Sequence, residues 1–143
     1  MNRRTPLLAL FGATFLVAVH AQSAGSNGQK RSKIVLQMSE ADPAKWNLAL
    51  NNAKNVQDEL GAANVDIEIV AYGPGIGMLK LDSVVNSRVA DLSKAGIKVV
   101  ACENTMRNQK LVAADMHPAA GYATSGVVHI MKRQSEGWSY VRP

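Results

Sequence analysis

The segment IKVVACENTMR, residues 97–107, passes from an apolar run directly into a polar one. Its first five residues have the short, mostly apolar pattern of a strand that is covered on both faces, as in parallel sheets. Cys102 follows at once, and we expect a helical stretch after it through about residues 110–114. This order predicts a buried strand that carries a cysteine at its carboxyl end.

Two similar apolar runs precede this segment, at residues 33–38 and 65–72. Between them, Asp42 is an expected N-cap, followed by a proline at the first helical position, and the apolar spacing predicts a helix that ends at Leu60. A second helix is expected over residues 83–95, with Val84 among its buried residues.

The last part of the chain predicts one more helix and a closing strand. The helix is expected over residues 125–135 and the strand over 138–141, with a further short strand near Tyr122. The helix has four apolar residues that we expect to be buried: Val127, Val128, Ile130 and Met131. Strands that alternate with helices predict an α/β fold with a mainly parallel sheet and helices on both faces.

The N-terminal residues have the three zones of a secretory signal peptide. Residues 1–21 combine two arginines, a short apolar stretch and small residues before a cleavage site near Ala21, and the apolar stretch is too short to span a bilayer. Residues 22–32 predict a flexible leader, and residues 33–143 suit a single domain. We expect a periplasmic or secreted protein that keeps no membrane attachment after cleavage.

Composition excludes several classes of protein. The net charge of +5 comes from scattered lysines and arginines, and aromatic residues make up only 5% of the chain, so no nucleic-acid partner is expected. The single cysteine rules out a disulfide within one chain. No histidine, cysteine or carboxylate cluster has metal-ligand spacing, so we predict no metal and no cofactor.

Candidate site residues lie in two loops that follow strands, because parallel sheets bind ligands outside the carboxyl ends of their strands. Cys102 is the candidate nucleophile, since a helix N-terminus or a nearby cation such as Arg107 favours the thiolate. Cys102 is equally well explained as a small buried apolar residue, and Arg107 as a solvated one.

The remaining candidates each have an ordinary structural explanation as well. Asn104 and Thr105 either donate hydrogen bonds to a sulfur or anionic adduct, or simply cap a helix. Gly73 and Gly75 either bring backbone amides close to a ligand or form a tight turn, and their loop lacks the spacing of a P-loop or a dinucleotide-binding motif. A cysteine hydrolase that pairs Cys102 with His117 is the third functional alternative.

Three stretches together resemble the DsrE/DsrF-like family: residues 97–107, the loop at 72–75, and the C-terminal residues 126–143. The resemblance covers about residues 33–143. It implies a three-layer, flavodoxin-like domain with about five strands that assembles into trimers or hexamers. It also implies that Cys102 carries sulfur as a persulfide. Other members have a second cysteine three residues later, where this chain has Thr105, so no two-thiol relay exists within one chain.

These observations lead to two main functional hypotheses. The first is an exported thiol protein in which Cys102 accepts, holds or passes on sulfur from a donor protein or a small sulfur compound. The second is a non-catalytic oligomeric module that binds a small ligand where the glycine loop and the Cys102 loop meet at a subunit boundary.

Overall fold

The sheet contains five strands that are all parallel, in the order β4-β3-β2-β1-β5. It is seen in a computed structural model that describes residues 30–143, so the predicted signal peptide and most of the predicted leader lie outside the described residues. The strands are β1 (Ser32–Met38), β2 (Val65–Ala71), β3 (Lys98–Cys102), β4 (Ala120–Ala123) and β5 (Ser139–Val141). The predicted parallel α/β fold is confirmed, although flavodoxin itself orders its strands 2-1-3-4-5.

Helices cover both faces of this sheet, which completes the expected three layers. α1 begins after the Asp42 cap, whose side chain accepts a hydrogen bond from the Ala44 N–H at 2.8 Å. The glycine loop after β2 forms a 3₁₀ helix, and a second 3₁₀ turn follows α3. The helices are α1 (Pro43–Leu60), α2 (Asn86–Lys94), α3 (Glu103–Asn108), α4 (Gly126–Ser135) and the 3₁₀ helices Gly73–Leu79 and Ala113–Asp115.

The two faces bury cores of different size. Side chains alternate along β2, so that Ile67 and Ile69 pack with α1 and α2 in the large core while Val70 faces α4. Among the described residues, the core on the α4 side contains four buried apolar residues: Val35, Val70, Val100 and Ile130. Within residues 30–143, no helix combines the length and apolar character that crossing a bilayer requires.

Three expectations about helices were wrong. Four apolar residues of α4 were expected to be buried, but only Ile130 is buried. Among the described elements α4 lies alone on its face of the sheet, so its outer side is not covered. Val84 is 77% exposed because α2 begins only at Asn86. The helix after Cys102 ends at Asn108, short of the expected range. The exposed α4 residues are Val127, Val128 and Met131.

A buried carboxylate joins α4 to the sheet. Glu68 of β2 is 1% exposed and accepts hydrogen bonds from Arg133 Nε at 2.8 Å and Arg133 Nη2 at 2.7 Å, and it lies 2.8 Å from His129 Nε2. Burial raises the pKa of Glu68, but the hydrogen bonds from Arg133 and His129 outweigh it and leave the pKa below its usual value. The paired charge therefore fixes α4 against β2.

Candidate functional site

Cys102 is the last residue of β3 and the N-cap of α3, as the sequence predicted for a strand-to-helix junction. β3 lies between β2 and β4, and Cys102 pairs with Ala123 at the end of the neighbouring strand. The residue is a free cysteine and is only 5% exposed. The thiol therefore lies buried at the carboxyl edge of the sheet, next to the loops that follow β2 and β4.

The first backbone amide of α4 points at the sulfur. The Gly126 N–H donates to Cys102 Sγ at 3.2 Å, and the Ser125 side chain caps the same helix by accepting from the Val128 N–H. A Cβ on residue 126 would lie 3.1 Å from Tyr72 Cβ and 3.3 Å from Cys102 Cβ, which is tighter than most real contacts. A glycine at this position thus lets the helix N-terminus approach the thiol closely.

Thr105 connects the glycine loop to the same thiol. Its side chain is almost fully buried, and its Oγ1 accepts a hydrogen bond from the Gly73 N–H at 2.9 Å. Because the oxygen already accepts from Gly73, its own proton is available to the nearby Cys102 sulfur. The loops after β2 and β3 therefore meet at Cys102, with Gly73 acting on the sulfur through Thr105.

These donors determine the electrostatics of the thiol. Burial raises the pKa of Cys102, but the Gly126 N–H, the Thr105 hydroxyl and the nearby backbone N–H groups of Thr105 and Asn104 together hold the pKa below its ordinary value. Gly126 makes the hydrogen bond with the clearest geometry. The site therefore stabilises a negative charge on sulfur, which an ordinary buried apolar cysteine would not do.

Asn104 and Arg107 have different positions from Thr105. The Asn104 N–H donates to the Thr124 carbonyl at 3.1 Å, so it ties α3 to the end of β4 and influences the sulfur only through its field. The Asn104 side chain accepts a hydrogen bond from the exposed Arg107 guanidinium. Both side chains are thus engaged with each other at the surface.

Gly75 serves the packing of the loop. A Cβ there would lie 2.3 Å from the carbonyl oxygen of Met38, and the Gly75 N–H donates to the carbonyls of Ser39 and Tyr72, each at 3.1 Å. Only a residue without a side chain fits against the end of β1 in this way. The amide of Gly75 is therefore used within the fold.

A polar cluster that sequence reasoning missed lies along the same edge. Arg142, after β5, pairs with Glu40, after β1, at 2.6 Å and lowers the pKa of that carboxyl to about 2. Burial raises the pKa of the Tyr72 phenol, and Tyr140 raises it further. Glu40, Tyr72 and Arg142 follow three different strands and Tyr140 lies within β5, so the strand order brings them together.

The hydrolase alternative fails on the position of its histidine. His117 precedes β4 and so lies at the amino edge of the parallel sheet, whereas Cys102 lies at the carboxyl edge. The Nδ1 of His117 accepts from the Ala119 N–H at 3.0 Å. In the part of the chain that the structure describes, no three histidine, cysteine, aspartate or glutamate side chains are grouped so that they could hold a metal ion.

Comparisons with known proteins agree with this fold. The family model described as DsrE, DsrE/DsrF-like family, matches residues 17–143. A protein of unknown function from Methanobacterium thermoautotrophicum, MTH1491, is 35% identical, with a TM-score of 0.75 over 78% of this chain and 99% of its own. BT1422 from Bacteroides thetaiotaomicron, also of unknown function, shares the fold at 13% identity and a TM-score of 0.60, over 78% of this chain and 95% of its own. No curated protein matches the chain.

Proposed function

This chain belongs to the DsrE/DsrF-like family, and from that membership we propose that it carries sulfane sulfur as a persulfide on Cys102. The observation that supports this most strongly is the Gly126 N–H directed at Cys102 Sγ at 3.2 Å. Together with the nearby Thr105 hydroxyl, it provides donors that hold the pKa of the Cys102 thiol below its ordinary value. Such donors stabilise the anionic thiolate and also an anionic persulfide on the same residue.

The loading step is an exchange at sulfur. The Cys102 thiolate attacks a sulfane sulfur atom of a polysulfide, a new S–S bond forms, and the S–S bond of the donor breaks. The bonding electron pair leaves with the shortened polysulfide, and Cys102 becomes an anionic persulfide. No proton transfer is required, because attacking and leaving sulfurs are both already deprotonated.

Intact mass measurement after exposure to inorganic polysulfide tests this proposal. We expect the wild-type protein to gain one sulfur atom that dithiothreitol removes, and the Cys102→Ala variant to gain none. The rate at which iodoacetamide alkylates Cys102 is then measured across a pH series. We expect the thiolate to react at pH values below about 8.5, the pKa of an ordinary cysteine. A wild-type protein that takes up no sulfur at any pH would refute the proposal.

The proposal includes export and self-assembly. The family resemblance implies a homo-oligomer, either a trimer or a hexamer. The apolar side chains that α4 and β4 leave exposed support this assembly: Tyr122, Val127, Val128 and Met131. Sedimentation of the wild type against a Val128→Lys variant measures this, and we expect the variant to dissociate. Mass analysis of the protein from an exporting host tests cleavage near Ala21.

A groove beside the Cys102 loop favours the second candidate, a ligand-binding module. It has a volume of about 510 Å³ and lies next to the N-terminus of α4; its lining comprises Glu103, residues 122–125, Val128, His129 and Lys132. Binding in this groove would depend on its shape more than on the thiol. A small ligand that binds wild type and Cys102→Ala with equal affinity would support this function.

A further inference from the structure

We infer that Tyr72 makes Cys102 selective for small anionic sulfur donors, such as inorganic polysulfide, and closes it to bulky disulfides and carriers. This inference rests on the proposed function, because it concerns the donor that loads the same thiol. It is carried by the packing around the sulfur and by the kind of polar groups that face it.

The burial of the thiol limits the size of any reagent. Cys102 is 5% exposed and Thr105 is 9% exposed, so little of the sulfur is open to solvent. Exchange at sulfur requires the attacking thiolate, the attacked atom and the leaving atom to approach a common line. A bulky group on the attacked sulfur would therefore meet the walls of the site before the sulfurs came into contact.

Tyr72 forms one of these walls. Its Cβ and Cδ1 lie 3.1 and 3.2 Å from the point that a Cβ on Gly126 would occupy, and Cys102 Cβ lies 3.3 Å from the same point. The tyrosine ring is thus packed against the turn of α4 that touches the sulfur. It is also partly buried and packs against the core on the α4 side, which restrains the movement of the ring.

The polar lining selects for charge. The donors at the sulfur are the Gly126 N–H and the Thr105 hydroxyl, and the hydroxyl oxygen is itself oriented by Gly73. Donors of this kind stabilise an anionic sulfur chain as it approaches and the persulfide that it leaves behind. A buried thiol with N–H and O–H donors beside it therefore favours reaction with a short polysulfide anion over a bulky neutral disulfide.

Paired reagents of similar chemistry and different size test the inference. For each reagent we define a protection ratio, which is the rate of Cys102 modification in folded protein divided by the rate in urea. The ratio is measured for methyl methanethiosulfonate and for a bulky aromatic disulfide. We expect the ratio to be at least about tenfold lower for the bulky reagent, equivalent to about 1.4 kcal/mol of extra opening cost. The same order is expected for sulfur loading by polysulfide and by glutathione persulfide.

Two variants distinguish the effect of the Tyr72 ring from the effect of its hydroxyl group. Tyr72→Ala should raise the bulky-reagent ratio towards the small-reagent ratio, while Tyr72→Phe should keep the wild-type difference; thermal unfolding checks that both variants are folded. Equal ratios in the wild type, or no effect of Tyr72→Ala on a folded protein, would overturn the inference. Should the wild type instead load from no donor at all, the proposed function itself fails.

Discussion

Replacing Thr105 with valine removes the hydroxyl that links the glycine loop to the thiol while keeping the shape of the side chain. The Gly73 N–H, now 2.9 Å from Oγ1, loses its acceptor. An unpaired N–H in a partly buried position costs about 1–2 kcal/mol. With a urea slope near 2 kcal/mol per molar, typical of small domains, the unfolding midpoint should fall by about 0.5–1 M.

The same substitution should raise the pKa of Cys102, because the thiolate loses one of its donors while the burial that opposes it remains. Alkylation rate against pH measures this shift, and Thr105→Ser, which keeps the hydroxyl, is the matched control. We expect the serine variant to follow the wild type and the valine variant to need higher pH. Identical pH profiles for the two variants would refute the role assigned to Thr105.

Three further substitutions test the site and the fold. Gly126→Ala should shift Cys102 alkylation to higher pH, whereas Gly121→Ala, where a Cβ meets only an ordinary 3.6 Å contact, should not; equal profiles would contradict the role of the α4 amide. Gly75→Ala should destabilise the protein by about 1–3 kcal/mol or more in urea unfolding, because its Cβ would collide with the backbone of β1. Glu68→Gln should make the free energy of unfolding less sensitive to acid. The lowered pKa of Glu68 stabilises the folded protein at pH values above the unfolded-state pKa of about 4.3, and this stabilisation is lost as the pH falls through the folded-state pKa. Unfolding free energies of both proteins between neutral and acidic pH measure it, and parallel curves would count against the paired charge.

The strands and the cysteine could be predicted from sequence because their signals are local. Residues 97–101 are mostly apolar, and β3 indeed ends at Cys102. Asp42 before a proline gave the start of α1 correctly, since a cap depends on neighbouring residues alone. Contacts made within a few residues along the chain are therefore readable without a structure.

The donor that α4 contributes could not be predicted, because its position depends on strand order. Gly126 lies 24 positions after Cys102 and reaches it only because β4 pairs beside β3 and leads into α4. The sequence indicated that the helix following Cys102 would supply the donors. Thr105 of that helix does lie near the sulfur, but the hydrogen bond with the clearest geometry comes from the first residue of α4. The burial of α4 was misjudged for a related reason, since periodicity identifies apolar residues and does not show which faces other elements cover.

The donors that lower the pKa of Cys102 also bear on how sulfur would leave it. A lower pKa makes a thiolate a weaker nucleophile but a better leaving group. With one cysteine in the chain and Thr105 three residues after it, no internal thiol can displace the bound sulfur. An external thiolate must attack the outer sulfur, forming its own persulfide as the Cys102–sulfur bond breaks and the electron pair returns to Cys102. Under the proposed function, the amide of Gly126 stabilises the thiolate that departs in this step, so the site assists release of sulfur to a small external thiolate.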